Sequence, residues 1–253
     1  MQTNQENVRK KQCLYAPMAN PYFQFKQFTV WHDRCAMKVG TDAVLLGAWV
    51  RVDGARRMLD IGGGCGLIAL MAAQRNAGAE VVAVEIDAEA VGQAQENVAK
   101  SPWAERIEVV RADVCTFQSA EKFDVIFSNP PYFVNALKCP DKQRNTARHT
   151  DTLDFDTLMR CAASLLSADG EFSVVVPMEA VAALKAISIS HRLYLSRETH
   201  VHTKASAPAK RALLAFTLAM PEDAVIPQKL VMHDGSGGYG DEYKMMVNDF
   251  YLL

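Results

Sequence analysis

From about residue 57 onward the chain alternates short apolar runs with segments of helical period, and this alternation restricts the fold more than any other feature. RRMLDIG (56–62), AEVVAVEID (79–87), RIEVVRAD (106–113), KFDVIFSN (122–129) and EFSVVVP (171–177) read as strands. GLIALMAAQRN (66–76), AEAVGQAQENVAK (88–100), DFDTLMRCAASLLSADG (154–170) and EAVAALKAISIS (179–190) read as helices, the third closed by its terminal glycine. Strands alternating with such helices build βαβ units, hence a parallel sheet covered on both faces. HRLYLSRETHV (191–201) and KRALLAFTLA (210–219) look like an antiparallel pair that ends the sheet. The expectation is an α/β fold with seven strands, mostly parallel, with an antiparallel edge strand and helices on both faces.

The 253 residues are 49% hydrophobic, which is enough for one large core. The segment before residue 50 is too short for a second domain. A disordered tip over residues 1–20 and a single domain over 21–253, opening with a structured extension, are expected. The tail from residue 233 reads as a glycine-rich loop followed by a short amphipathic segment. There is no run of 18 or more apolar residues and no apolar segment of signal-peptide type at the N-terminus, so a cytoplasmic protein is expected. The six cysteines are scattered, without a CxxC pair or a histidine at metal-ligand spacing; they read as reduced thiols, and no metal site is expected. A net charge of −2 gives no overall attraction to nucleic acid. Two stretches depart from that balance. Residues 138–149 carry Lys138, Lys142, Arg144 and Arg148 against Asp141, and residues 191–211 carry five Lys or Arg against Glu198, with three histidines. Such runs are often solvated loops, but two in one half of a neutral chain suit a polyanionic partner.

Two motifs fall at strand ends. In LDIGGGCGLIAL, Gly62, Gly64 and Gly66 have G-x-G-x-G spacing after Asp60. Glycines there let a strand turn sharply into a helix and let a ligand approach the backbone. Glu85 ends the second strand, where a carboxylate can accept from ribose hydroxyls. Asp113 ends the third and could accept from an adenine amino group. Asp87 could cap the following helix. Each acid alone is an ordinary cap or turn residue. At successive strand ends, the set describes a pocket for an adenosine-bearing cofactor. The spacing is not the G-x-G-x-x-G of pyrophosphate binders.

The second motif is Asn129-Pro130-Pro131-Tyr132, which stops the fourth strand because proline has no N–H to donate to the ladder. It offers the Asn129 side-chain oxygen, a stiffly held Pro130 carbonyl and the face of Tyr132. Two acceptors and a ring match a planar group bearing an NH2, either a nucleobase amine or a carboxamide. Two in-plane acceptors orient such a nitrogen and aim its lone pair; the rest is proximity and electrostatics.

The glycine loop resembles the S-adenosylmethionine loop of class I methyltransferases, and NPPY resembles their amino-methylating members. The likeness is closer still. FKQFTVWHDRCAMKVGTDAVLLGAW (25–49), SPWAERI (101–107), SNPPYF (128–133), ARHTDTLDF (147–155) and KRALLAF (210–216) resemble the bacterial tRNA1(Val) adenine-37 N6-methyltransferases, from about residue 22 to the end. The resemblance implies a Rossmann-like fold, S-adenosylmethionine as cofactor and the anticodon stem-loop of a tRNA as partner. It implies that Gly40, Thr41 and Asp42 close over the methionine end of the cofactor. Asp60, Gly62, Gly64, Gly66, Glu85, Ile86, Asp113, Val114 and Asn129 would line the rest. Asn129, Pro130, Pro131 and Tyr132 would form the catalytic loop, and Tyr132, Phe133, Arg144, Arg148, His149, Lys210 and Arg211 would face RNA. Guanine-N2 methylation of rRNA and glutamine-N5 methylation of release factors use the same loop and stay open as rivals. An NAD-dependent oxidoreductase is disfavoured by the glycine spacing. A catalytically silent RNA-binding module has no reason to keep both Asn129 and the glycine loop.

Overall fold

The computed structural model describes residues 20–131 and 153–252. The expected disordered tip, and the residues Tyr132, Phe133, Arg144, Arg148 and His149 expected at the catalytic loop and the RNA, therefore lie outside the described residues.

The described residues open with a small hairpin, β1 (Tyr22–Gln24) and β2 (Thr29–Trp31), then α1 (Thr41–Trp49). The alternation follows as β3 (Arg57–Ile61), α2 (Leu67–Arg75), β4 (Glu80–Glu85), α3 (Ala88–Ala99), β5 (Ile107–Arg111) and β6 (Phe123–Ser128). After the undescribed stretch come α4 (Phe155–Leu165), β7 (Leu166–Pro177), α5 (Val181–Ser190), β8 (Tyr194–Lys204), β9 (Ala209–Thr217), β10 (Gln228–His233) and α6 (Asp241–Val247). Asp87 caps α3 as expected, its side chain accepting from the Ala90 N–H at 2.8 Å.

Among the described residues the main sheet has eight strands in the order β10-β8-β9-β7-β6-β3-β4-β5. Of these described strands only β9 runs against its neighbours, β7 and β8. Two expectations are corrected here. The antiparallel strand is interior, and the edge beyond β8 is β10, which is parallel to β8 and makes the eighth strand. Of its six residues only Leu230 is buried, so its apolar signal is weak. The third helix also ends earlier than Gly170. It stops at Leu165 because Leu166 pairs with Phe123, and β7 then bulges before Glu171 pairs with Val125. A Cβ on Gly170 would sit 2.7 Å from Leu166, so that glycine serves the bulge and not a helix cap.

Apolar side chains leave the sheet in both directions, which is why the strands read as continuous apolar runs. Met58, Val125, Phe127 and Val175 join α1, α2 and α6 in one core, while Leu59, Ile126, Val174 and Val176 join α4 and α5 in the other. Arg106 closes the C-terminal end of α2 by donating to the carbonyls of Ala73, Ala79 and Asn76 at 2.8–2.9 Å. Arg106→Ala leaves those carbonyls without their donor. It is expected to cost about 2–3 kcal/mol, read as a fall in chemical-denaturation midpoint with an unchanged m-value.

Register decides what meets at the carboxyl edge. Ile61 is level with Ser128 on one side and Val84 on the other, and Val84 is level with Val110. The residues following β3, β4, β5 and β6 therefore emerge side by side. The Ser128 hydroxyl donates to the Ile61 carbonyl at 2.8 Å and ties the ends of β6 and β3 together.

Candidate active site

The turn from β3 into α2 needs left-handed backbone at three positions: Gly62 (φ 72°), Gly64 (φ 54°) and Gly66 (φ 81°). The Gly62 and Gly63 N–H groups donate to the Val84 carbonyl, at 2.9 and 3.2 Å, and pin the turn to β4. Behind the turn there is little room, since a Cβ on Gly63 would lie 3.1 Å from Ala83. In front there is space: a Cβ on Gly62 or Gly64 would meet nothing within 4 Å among the described residues.

Asp60 lies beneath this turn with no exposed surface. Its Oδ2 accepts from the Ala69 N–H in the first turn of α2 at 3.1 Å, and its Oδ1 has no hydrogen-bond partner among the described residues. Burial pushes this carboxyl up to about 7, with the Glu85 charge adding to the rise and the Ala69 N–H opposing it.

Glu85, at the end of β4, bridges back to the glycine turn. Its Oε2 accepts from the Gly64 N–H at 3.0 Å; its Oε1 accepts from Ile86 and Asp87 at 2.8 and 2.9 Å. A carboxylate has about four acceptor directions. Three are taken, which leaves one on Oε2 for a hydroxyl. Ile86 beside it is 58% exposed, a large apolar side chain at a strand end. Asp113 lies two residues past β5 in a turn, exposed, with Oδ1 accepting from the Cys115 N–H at 2.8 Å. Val114 is buried. Asn129 follows β6 directly and is half-buried, Pro130 is buried and Pro131 exposed.

Residues 35–187 match the model of the methyltransferase small domain family. The chain is 52% identical to the tRNA1(Val) (adenine(37)-N6)-methyltransferase of Bacteroides thetaiotaomicron, over 93% of this chain and 99% of that one. The protein of the same description from Phocaeicola vulgatus is 54% identical, over 93% and 99% of the two chains. The chain belongs to this methyltransferase family. Among solved structures, a predicted O-methyltransferase of Agrobacterium tumefaciens superposes with a TM-score of 0.63 at 25% identity, covering 83% of this chain and 96% of that one.

Members of the family are enzymes that use S-adenosylmethionine, and so is this one. The described residues fit that cofactor. The front of the turn is open at Gly62 and Gly64, Glu85 keeps one acceptor direction, Ile86 presents apolar surface, and an unpartnered carboxylate oxygen lies below. Among the described residues no group of three or more His, Cys, Asp or Glu could hold a metal ion, and no helix is long and apolar enough to cross a membrane.

The other expected methyltransferase residues are distributed as follows. Gly40 caps α1 from outside with extended backbone and Thr41 is exposed. The Asp42 carboxylate accepts from Arg211 Nε at 2.7 Å, tying the start of α1 to the start of β9. Arg211 is thus committed at least partly to protein, while Lys210 is exposed. Much of the basic 191–211 stretch is similarly engaged. His191 meets Asp156 at 2.8 Å, His200 meets Glu198 at 2.8 Å, and Arg197 pairs with Glu171 while stacking on Trp49.

Sequence reasoning missed Asn97. This buried amide donates to the Trp31 and Cys65 carbonyls at 2.8 and 2.9 Å, and accepts from the Trp31 N–H at 2.9 Å. It holds the N-terminal hairpin against the glycine turn. An asparagine at helical spacing gives no sign of such a role.

Proposed function

We propose that this enzyme transfers a methyl group to the exocyclic N6 amine of adenine 37 in the anticodon loop of tRNA1(Val). One observation carries the reading: the Asn129-Pro130-Pro131 step, followed in sequence by Tyr132, leaves β6 level with the end of β3, beside the glycine turn, in a chain 52–54% identical to relatives so described. When bound, the cofactor supplies an electrophilic methyl group on a sulfonium. The chain's task is to present the nucleophile. Asn129 Oδ1 and the Pro130 carbonyl accept the two N6–H bonds, and Tyr132 covers the base. This orients a nitrogen whose lone pair is otherwise delocalised into the ring, and keeps it in line with the methyl. The methylated nitrogen is acidic enough to release its proton to water, so no strong base is required.

Adenine 37 must leave the loop stack to reach this site, which costs a few kcal/mol and less for a loop base than for a paired one. Contacts to loop phosphates offset that cost. We assign them to Lys210 with Arg211, and to Arg144, Arg148 and His149, while Phe133 meets the RNA through its ring. A single domain over 21–253 working in the cytoplasm suits such a substrate.

Unmodified tRNA, rRNA and release factor are each incubated with S-adenosylmethionine, and the digested products are read by mass spectrometry. N6-methyladenosine from one valine tRNA is expected. N2-methylguanosine, or methyl label on protein alone, overturns the substrate. Lys210→Ala is expected to raise the tRNA KM several-fold with kcat unchanged. It should also flatten the dependence of log K on log salt by about 0.7–0.9.

A further inference from the structure

We propose that one row of side chains on β8 and β10 is a docking face for the phosphate backbone of the stem below the target loop, so that the enzyme holds its RNA at two places. The inference rests on the tRNA reading above and adds a surface to it. Strand register builds the row. In the parallel pair of β10 and β8, Lys229 is level with His200, Val231 with His202, and His233 with Lys204. Level residues share a face of the sheet, and alternate residues take the other. The alternate residues here are Val201 and Leu230, both buried in the core made with α1, α2 and α6, and Met232, which packs against it. The row therefore lies on the opposite face. At its inner end Glu198 is buried and is taken by Lys185 of α5 and by His200 Nε2, the latter at 2.8 Å. From there to the carboxyl edge the row reaches solvent among the described residues. Lys204 and Lys229 are exposed, and His200, His202, Val231 and His233 partly so.

The charge of this row is one-sided. Beyond Glu198 it holds two lysines, three histidines and a valine but no acid, in a chain whose net charge is −2. Asp234 follows the row, and its Oδ1 is turned into the glycine-rich loop. That oxygen accepts from the Ser236 N–H and hydroxyl at 2.8 Å and from the Gly238 N–H at 3.1 Å. The polar groups of the row are also placed. Lys229 Nζ donates to the Ala205 carbonyl at 3.2 Å, which lays this side chain along the row and leaves two N–H bonds for phosphate oxygens. His202 Nδ1 is 2.7 Å from the Ala207 carbonyl, so that nitrogen carries the proton. Nε2 of the neutral ring is then an acceptor, suited to a ribose 2′-hydroxyl.

Shape selects a polyanion over a small anion. Lys204 stands four positions beyond the level of Lys229, about 13 Å along the strand, so the cations form a line and do not converge on a point. A nucleic-acid backbone presents its charges along such a line. The placement also fits. Strands β7 and β8 both run against β9, so Lys204 stands at the same edge of the sheet as Ser128 and Asn129. Only β9 and β7 separate β8 from β6, which puts the row about 14 Å from the strand that carries the Asn129 step. Lys210 and Arg211, on the other limb of the β8–β9 turn, lie between. Contacts of this kind fix orientation without reading sequence.

The test compares the full-length wild type with a Lys204→Gln, Lys229→Gln double variant. Two RNAs are used: the unmodified anticodon stem-loop, and a single-stranded oligomer of the loop sequence alone. Stem-loop affinity is measured across a salt series, and kcat/KM for methyl transfer is measured on both RNAs. The double variant is expected to bind the stem-loop about tenfold more weakly, with the slope of log K against log salt flatter by about 1.4–1.8. Its kcat at saturating stem-loop, its kcat/KM on the loop oligomer and its S-adenosylmethionine affinity should equal those of the wild type. Lys122→Gln, an exposed lysine at the start of β6 and the opposite edge, should change none of these. A double variant with wild-type affinity and slope for the stem-loop overturns the proposal, as does one that loses stem-loop and loop oligomer in equal proportion. Failure of the tRNA reading looks different: the wild type itself then leaves the stem-loop unbound and unmethylated, and the docking proposal falls with it.

Discussion

Asn129→Ala is expected to bind S-adenosylmethionine within about threefold of the wild type and to transfer methyl groups about a hundred- to a thousandfold more slowly. The magnitude follows from removing one preorganised polar contact at a reacting centre. The amide oxygen is one of two acceptors that orient the amine, and the Pro130 carbonyl alone leaves the nitrogen free to rotate. Asn129 comes just after Ser128, whose hydroxyl is bound to Ile61, so the end of β6 stays fixed when the amide is removed. The loss should therefore appear in kcat, with the tRNA KM nearly unchanged. Single-turnover rates at saturating cofactor and tRNA measure it. A variant that keeps more than a tenth of the wild-type rate would mean that another group positions the amine.

Asp60→Asn is expected to divide stability from function. A carboxyl that keeps its proton to about 7 in the native state, and loses it near 4 when unfolded, binds more protons folded than unfolded across that window. Its contribution is complete below pH 4, is lost as pH rises towards 7, and is flat above. The ionised group thus costs the ligand-free protein on the order of 4 kcal/mol at pH 8. Asparagine can still accept from the Ala69 N–H but cannot ionise. The variant should melt several degrees above the wild type at pH 8 and exceed it far less near pH 4.5. It should also bind the positively charged cofactor at least tenfold less tightly at pH 8, because an unpartnered anion beneath the glycine turn is lost. Thermal melts at both pH values and calorimetry at pH 8 test the two halves. A variant less stable than the wild type at pH 8 would mean that Asp60 is ionised and fully satisfied in the ligand-free protein.

The parts of this fold legible in the sequence are those whose signal is local. Strands β3 to β7 have apolar residues pointing to both faces, Met58 to one core and Leu59 to the other, so each reads as an apolar run. The glycines were recognisable because the turn needs left-handed backbone. What escaped depends on distant pairing. Residues 166–169 suit a helix by composition, and only the contact of Leu166 with Phe123 turns them into strand. Strand β10 buries one side chain and rests on backbone pairing with β8, which composition does not encode. In the site, Glu85 stands at the expected strand end, but its three backbone bonds require coordinates. The bridge made by Asn97 joins segments that no periodicity connects.

The interior position of β9 has a consequence for synthesis. Strands β7 and β8 emerge from the ribosome before β9, yet neither pairs with the other; both pair with β9. Until Thr217 has cleared the exit tunnel, the nascent chain carries two long strands with unsatisfied edges, including the apolar Val174–Val176 run. Such edges favour pairing with other chains. Slow translation between residues 177 and 209 would lengthen this vulnerable interval, whereas a pause after β9 would allow the hairpin to close first. The order of strands in space thus makes the yield of soluble enzyme sensitive to elongation rate over one short part of the message.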